Sequence, residues 1–231
     1  TLELGIRGAY DELTAVMIPI VCDSLKGMDG NWRYAVPKVP VIPVAHAQNR
    51  KTAAGAEFTA SQYKKIKTKL EELSGKAIMN ATITDAVGVF NERRAAMRRF
   101  AQAAGRPGLI KPSDRNAVYK SGYFMDVREH LGLVTELTAL LENVTPPAFK
   151  GPKVVTSGVI ADNTALMKIL DDCGVCVVQD AVTHESIRYN TDVPLTDDPI
   201  DGMARQIGEI EGCPMLFDPQ KYRGRMLVEL V

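Results

Sequence analysis

Two short apolar runs near the start of the chain have the length of β-strands. Residues 14–21 are rich in β-branched side chains and end abruptly at Cys22 and Asp23. Residues 39–44 contain two prolines, which is typical of an edge strand or an extended connector. In open α/β sheets, ligands bind at the carboxyl ends of the strands. We therefore predict that Cys22 and Asp23 lie at a ligand-binding edge.

The middle of the chain has the apolar spacing of α-helices. Thr59 and Gln62 form a capping-box pattern, which predicts a helix that begins there and stops at Gly75. Thr82 and Asp85 are expected to open a second helix, which ends near Gly105 and Pro107. A third is expected over residues 123–141.

A proline-rich break at residues 145–152 is followed by a strand–helix–strand pattern. The strands are predicted at residues 153–157 and 175–179, with a helix at 163–173 between them, capped by Asp162 or Asn163. Because such crossovers are right-handed, the two strands should be parallel. Two more helices are expected at residues 199–210 and 221–230.

These elements predict an α/β fold with two parallel-sheet domains of the Rossmann or flavodoxin type, linked by a helical segment. Residues 1–50 would be the remainder of an N-terminal α/β domain, 51–145 the helical segment, and 146–231 a truncated second α/β domain. The chain starts at Thr1 without an initiator Met and stops without a closing strand. We expect it to be incomplete at both termini.

Composition and charge narrow the possible functions. Hydrophobic residues make up 45% of the 231 positions and charged residues 24%, which is ordinary for a globular protein. The 28 basic and 28 acidic residues leave no net charge, so binding to nucleic acid or to an anionic membrane is not expected. No apolar run approaches the roughly 20 residues of a membrane span.

The four cysteines are irregularly spaced, which favours a reducing compartment over a disulfide framework. Cys173 and Cys176 form a C-x-x-C that we interpret as two buried small residues, and Cys213 as a bystander. Cys22 is equally consistent with a core residue and with a ligand or nucleophile. The three histidines, His46, His130 and His184, are all distant from it in sequence.

Polar residues also follow the strands of the second α/β segment. Ser157 and Gly158 begin a turn whose following helix N-terminus could hold an anion. Arg188 lies in a polar loop with Asp180, His184 and Glu185, and could contact a phosphate or carboxylate or form a local ion pair. Four helical arginines are expected to form a solvated face or to pair between domains: Arg93, Arg94, Arg98 and Arg99.

Several segments, in their order along the chain, resemble those of a known protein family. They are residues 2–11 with 18–23, residues 90–94, residues 157–163, residues 177–180 with 188–189, residues 194–205 and residues 221–225. Together they resemble the D-component family of 2-hydroxyacyl-CoA dehydratases, which includes subunits of ATP-dependent benzoyl-CoA reductase. The resemblance spans nearly the whole chain, and its specificity lies in the order and spacing of the segments.

The resemblance implies a cytoplasmic enzyme subunit of anaerobic metabolism that acts on a CoA thioester. It further implies a related second subunit, an ATP-hydrolysing activator that injects one electron, and a ketyl radical anion that allows the hydroxyl group to leave. Each subunit of the family holds an iron–sulfur cluster, usually 4Fe–4S, through three cysteines.

By the same resemblance, Cys22 matches the second cluster ligand. The first should lie before Thr1 and the third beyond Val231. The other three cysteines match no ligand, so the fragment alone should be inactive. Asp23 would orient or hydrogen-bond the metal site, and Ser157, Gly158 and Arg188 would contact the interdomain cleft or the substrate. Two alternatives stay open: a benzoyl-CoA reductase-type subunit, and a non-catalytic α/β module for binding or assembly.

Overall fold

The computed structural model describes residues 1–231 and combines α-helices with short parallel β-strands. In the amino-terminal part these are α1 (Leu2–Ile6), β1 (Val16–Pro19), α2 (Asp23–Ala35), β2 (Val41–Val44), α3 (Ala53–Ser74) and α4 (Asn80–Ala104). The later elements are α5 (Pro112–Ser121), α6 (Val127–Asn143), β3 (Lys153–Gly158), α7 (Thr164–Asp172), β4 (Cys176–Val182), α8 (Pro199–Glu209) and α9 (Tyr222–Glu229). A π-helical turn, Thr183–Ile187, follows β4.

The chain divides into two compact units. The first unit contains Thr1–Thr84, Pro194–Glu209 and Met215–Phe217, and the second contains Asp85–Val193, Ile210–Pro214 and Asp218–Val231. Each unit has one two-stranded parallel sheet, so the expected mixture of helices with parallel strands is confirmed. The three domain boundaries drawn from the sequence stay a prediction. No helix is both long enough and apolar enough to cross a membrane.

In the first unit, α2 covers the β1–β2 sheet. β1 pairs with β2 from Val16 opposite Val41 to Pro19 opposite Val44. The core beneath α2 centres on Trp32, which is 2% exposed and whose indole Nε1 donates to the Val39 carbonyl at 3.0 Å. Gly5 of α1 allows close approach here, because a Cβ at this position would lie 2.9 Å from a Val36 methyl group.

Sequence reasoning missed α2, which begins directly after Cys22. The helix contains Gly27 and Gly30, each of which costs about 1 kcal/mol relative to alanine inside a helix. Burial of Trp32 compensates for this weak local propensity, since most helical stability in proteins comes from tertiary packing.

The predicted start of α3 is wrong, because the helix begins earlier in the chain. Thr52, not Thr59, is the N-cap, and its Oγ1 accepts from the amide of Gly55 at 3.1 Å. Thr59 lies buried inside the helix, where its hydroxyl donates to the Gly55 carbonyl. The predicted end is confirmed, because Gly75 adopts the left-handed conformation at φ +66°.

A buried arginine in the first unit, Arg50, binds the C-terminal end of α8. Arg50 is 3% exposed and donates to the carbonyls of Ile207 and Gly208, at the last turn of α8, and to that of Phe217. The carbonyls of Ile207 and Gly208 are among those that have no hydrogen-bond partner within the helix, because they lie in its last turn. Arg50 therefore acts as a charged C-cap for α8.

The second unit contains the predicted strand–helix–strand. β3 and β4 are parallel, with Lys153 opposite Cys176 and a register shift between Val154 and Val155. A cluster of buried side chains in the same unit joins α4, α5 and α6 with the segment after the π-turn: Met97, Phe100, Ala104, Tyr119, Val134 and Tyr189. Sequence reasoning missed α5, whose Pro112 occupies the first turn in a position that favours helix initiation.

Of the four helical arginines only Arg99 is exposed, so the four do not share one solvated face. Arg93 is 4% exposed, so that interpretation is wrong for this residue. Arg98 makes two 2.9 Å bonds to the carboxylate of Asp192, and Arg99 pairs with Glu142. Arg94 donates to the side chain of Asn91.

The sequence left two candidates for the N-cap of α7, Asp162 and Asn163. The structure selects Asn163, whose Oδ1 accepts from the amide of Leu166 at 3.1 Å. We expect Asn163→Ala to lower the free energy of unfolding by about 1 kcal/mol, measured by urea denaturation. Asp162→Ala is the control and should change little, because Asp162 makes an exposed ion pair with Lys120. Equal losses in both variants would contradict this assignment.

Candidate functional site

Cys22 lies where the sequence predicted it, at the carboxyl end of a parallel strand. It is the N-cap residue of α2, with extended backbone angles, and its thiol is free and half-buried. The N-terminus of a helix carries a partial positive charge, which favours an anionic group such as a thiolate. Asp23 is exposed, and its Oδ1 lies 3.5 Å from Lys26 Nζ.

A cavity of about 230 Å³ lies beside the same edge of the first sheet. Its walls come from the segments that follow β1 and β2 and from a short loop: Ile20, Val21, Lys26, Ala45, His46, Ala47, Gln48, Met215, Leu216 and Phe217. Val21 immediately precedes Cys22. A small group bound in this cavity would therefore lie next to the α2 N-terminus.

His46 is the functional candidate that sequence reasoning missed in this cavity. Its Nε2 lies 2.9 Å from the Tyr63 hydroxyl, while its Nδ1 is buried without a hydrogen-bond partner. Burial lowers the pKa of His46 and raises the pKa of Tyr63 to about 12. A neutral imidazole can donate or accept a proton at this edge. The available signal was its position two residues after the second predicted strand, at residues 39–44.

The other three cysteines lie in the second unit. Cys173 is exposed at the end of α7, so the expectation of two buried residues in the C-x-x-C holds only for Cys176. Cys213 Sγ lies 3.7 Å from the Thr183 hydroxyl.

Nowhere in residues 1–231 do three side chains of His, Cys, Asp or Glu converge in a way that could hold a metal ion. Iron–sulfur clusters are held by several thiolates, usually four. Cys22 is the one cysteine of the first unit. The chain's own thiols therefore do not make a complete ligand set for a 4Fe–4S cluster.

Ser157 and Arg188 have separate surroundings in the second unit. The exposed Ser157 Oγ accepts from Arg223 Nη2 at 2.6 Å, and Arg223 also donates to the carbonyls of Ala181 and Gly212. Gly158 ends β3. Arg188 instead stacks on Tyr123, with its Cζ 3.8 Å from the ring centroid. The proposed substrate contacts of these residues stay a prediction.

Asp180 and Glu185, expected in a binding loop, belong to a buried network. Arg115 makes ion pairs with both carboxylates. Asp180 also accepts from the amides of Val182 and Ser186 and from the Ser186 hydroxyl. Burial raises the pKa of Glu185, although the charge of Arg115 opposes this shift. The network pairs both buried carboxylates with Arg115, whose Nε has no hydrogen-bond partner, and it connects α5, β4 and the π-turn.

Comparison with known proteins gives matches along the whole chain. A family model described as 2-hydroxyglutaryl-CoA dehydratase, D-component, matches residues 1–231. The chain is 41% identical over 231 residues to the (R)-phenyllactyl-CoA dehydratase beta subunit of Clostridium sporogenes, covering all of the chain and 62% of that protein. It is 35% identical over 223 residues to the beta subunit of (R)-2-hydroxyglutaryl-CoA dehydratase of Acidaminococcus fermentans, covering 95% of the chain and 59% of that protein.

A more distant match is a benzoyl-CoA reductase subunit of Thauera aromatica, at 21% identity over all of the chain and 61% of that protein. The chain thus spans about three fifths of the length of these relatives. Because the family model matches every residue from 1 to 231, the chain belongs to the 2-hydroxyglutaryl-CoA dehydratase D-component family.

Proposed function

We propose that this chain is part of a beta-type subunit of a 2-hydroxyacyl-CoA dehydratase, a lyase of anaerobic metabolism. The observation that carries the proposal is the family match over all 231 residues. The relatives at 41% and 35% identity are dehydratase beta subunits, whereas the benzoyl-CoA reductase relative is at 21%. This difference favours dehydration over ring reduction. Because all three relatives are subunits of enzymes, the comparison also favours an enzyme subunit over a non-catalytic module.

In the proposed reaction, the thioester carbonyl of a 2-hydroxyacyl-CoA accepts one electron from an ATP-hydrolysing activator protein. The resulting ketyl radical anion allows the neighbouring hydroxyl group to leave as hydroxide, which is otherwise unfavourable. Loss of a proton from the next carbon atom and return of the electron then complete the redox-neutral removal of water. The subunit works with a related second subunit in the cytoplasm. Neither nucleic acid nor a membrane takes part.

The proposed role of Cys22 is to supply one thiolate ligand of a 4Fe–4S cluster. Three features support this role: the position at the end of β1, the N-cap of α2, and the half-buried free thiol. No group of three ligating side chains forms within residues 1–231, and by the family resemblance the remaining ligands would come from parts of the subunit outside them. Asp23, at the exposed first position of α2, would orient or hydrogen-bond the metal site.

Anaerobic iron–sulfur reconstitution of the full-length subunit tests this proposal. We expect Cys22→Ala to lose most of the bound iron and the visible absorption of the cluster, because a thiolate ligand is removed. The matched control is Cys213→Ala, a half-buried thiol in the second unit, and it should retain both.

Circular dichroism of each variant separates ligand loss from unfolding. A folded Cys22→Ala protein that takes up as much iron as the wild type would contradict the ligand role. A wild-type subunit that takes up no iron would favour the binding-module alternative.

A further inference from the structure

Two arginines that have no carboxylate partner lie close together in the second unit. Arg93 belongs to α4, and Arg188 follows the π-turn. The Arg93 Cζ is 5.8 Å from the centroid of the Tyr189 ring, and the Arg188 Cζ is 5.5 Å from the same centroid. The two guanidinium groups therefore share one aromatic neighbour.

Both guanidinium groups have buried nitrogen atoms without hydrogen-bond partners. Arg93 is almost wholly buried, and it makes one hydrogen bond, from Nη1 to the Gly122 carbonyl at 3.1 Å, while its Nε has none. Arg188 is half-buried, and its Nη1 is buried and unpartnered. By contrast, the arginines Arg98, Arg99 and Arg115 each pair with a carboxylate.

Aromatic contacts only partly offset the cost of burying these charges. Arg93 lies 5.0 Å from the Phe90 ring centroid, and Arg188 stacks on Tyr123. A cation–π contact is a weak interaction, whereas the cost of burying an ion without a partner is much larger. Burial lowers the pKa of Arg93, and the nearby charge of Arg188 also acts to lower it. Neither guanidinium group is neutralised by a carboxylate in a salt bridge, as those of Arg98, Arg99 and Arg115 are.

Two further polar groups, the Tyr189 hydroxyl and the His130 imidazole, lie beside Gly122, whose carbonyl accepts from Arg93. A Cβ at Gly122 would lie 3.0 Å from the Tyr189 hydroxyl oxygen and 3.2 Å from His130 Nε2. The Tyr189 hydroxyl is buried without a hydrogen-bond partner, so it is a free donor. Phe90 and Tyr123, which contact the arginines, are partly exposed, at 38% and 43%.

We propose that Arg93 and Arg188 form a binding site for a phosphoryl group. Guanidinium groups match the geometry of phosphate oxygens, and two of them match the charge of a dianion. The Tyr189 hydroxyl would donate a further hydrogen bond. If the phosphoryl group belongs to a CoA thioester, this inference rests on the proposed function; if it is free phosphate, it does not.

The test measures inorganic phosphate binding to the full-length subunit by calorimetry and by thermal shift, with chloride at equal ionic strength as the reference. We expect phosphate to raise the melting temperature, and Arg188→Gln to weaken binding at least about tenfold. Arg93→Met should abolish binding without lowering the melting temperature in chloride, since an unpaired buried charge is removed. Arg99→Gln, on the same helix but paired with Glu142, is the control and should bind normally.

Coenzyme A and dephospho-coenzyme A distinguish the source of the phosphoryl group. Binding of coenzyme A alone that depends on Arg188 would assign the 3′-phosphate, and equal binding of both compounds would assign the diphosphate. Binding of inorganic phosphate alone would assign the free anion. No Arg188-dependent binding of any of the three probes would overturn the site. This result is independent of iron uptake at Cys22, so the two proposals can fail separately.

Discussion

Replacing Arg115 with Met should lower the free energy of unfolding by about 3–5 kcal/mol, the usual cost of leaving buried charges without their partner. The side chains of Arg115, Asp180 and Glu185 are 5%, 0% and 5% exposed. The variant leaves two buried carboxylates with no cation. The same change at Arg99, whose partner Glu142 is at the surface, should cost at most about 1 kcal/mol.

The loss at Arg115 should depend on pH. Burial raises the pKa of Glu185 even in the wild type, and the charge of Arg115 holds that shift back. Without Arg115, the folded pKa of Glu185 rises further above its unfolded value. The folded variant then binds a proton that the unfolded chain releases, so its stability increases as the pH falls through the folded pKa.

Urea denaturation of the Arg115→Met protein at about pH 8 and about pH 6 measures this dependence, with the larger deficit expected at the higher pH. Arg99→Met should show no comparable dependence. A deficit in Arg115→Met that equals the one in Arg99→Met would show that the network contributes little.

The parts of the fold that depend on residues close together along the chain could be predicted from the sequence. The parallel pair β3–β4 with α7 between its strands follows from a local alternation of apolar runs and turns. The stop at Gly75, and a cap at Asp162 or Asn163, likewise follow from the local preferences of those residue types, and the structure selects Asn163 for the cap. Cys22 was placed correctly at the end of β1 because a short apolar run ends there.

What could not be predicted depends on partners far away in the chain. Arg115 is buried because Asp180 and Glu185, about 70 positions later, neutralise it. His46 lies beside the β1 edge only because β1 and β2 pair in parallel. Spacing along the sequence contains no information on either pairing. The unpaired state of Arg93 and Arg188 is likewise visible only once the packing is known.

The helix that presents Cys22 depends on one side chain, Trp32. We expect Trp32→Ala to lower the free energy of unfolding by about 3–5 kcal/mol, the range for removing a large buried aromatic residue. The side chain packs in one cluster with Ile18, Val36 and Val39. The variant would also leave the Val39 carbonyl without its indole donor, which adds to the cost. Trp32→Phe keeps a ring in the core and should lose only about half as much.

The Trp32 variants also separate the two ways in which iron binding at Cys22 could be lost. Trp32→Ala should reduce iron uptake by the full-length subunit together with its helical circular dichroism, because α2 loses its packing against β1 and β2. Cys22→Ala should instead lose iron with its fold intact, and Trp32→Phe should retain most of the iron. Full iron uptake by a destabilised Trp32→Ala protein would contradict this dependence, since the cluster site would then form without the packed α2.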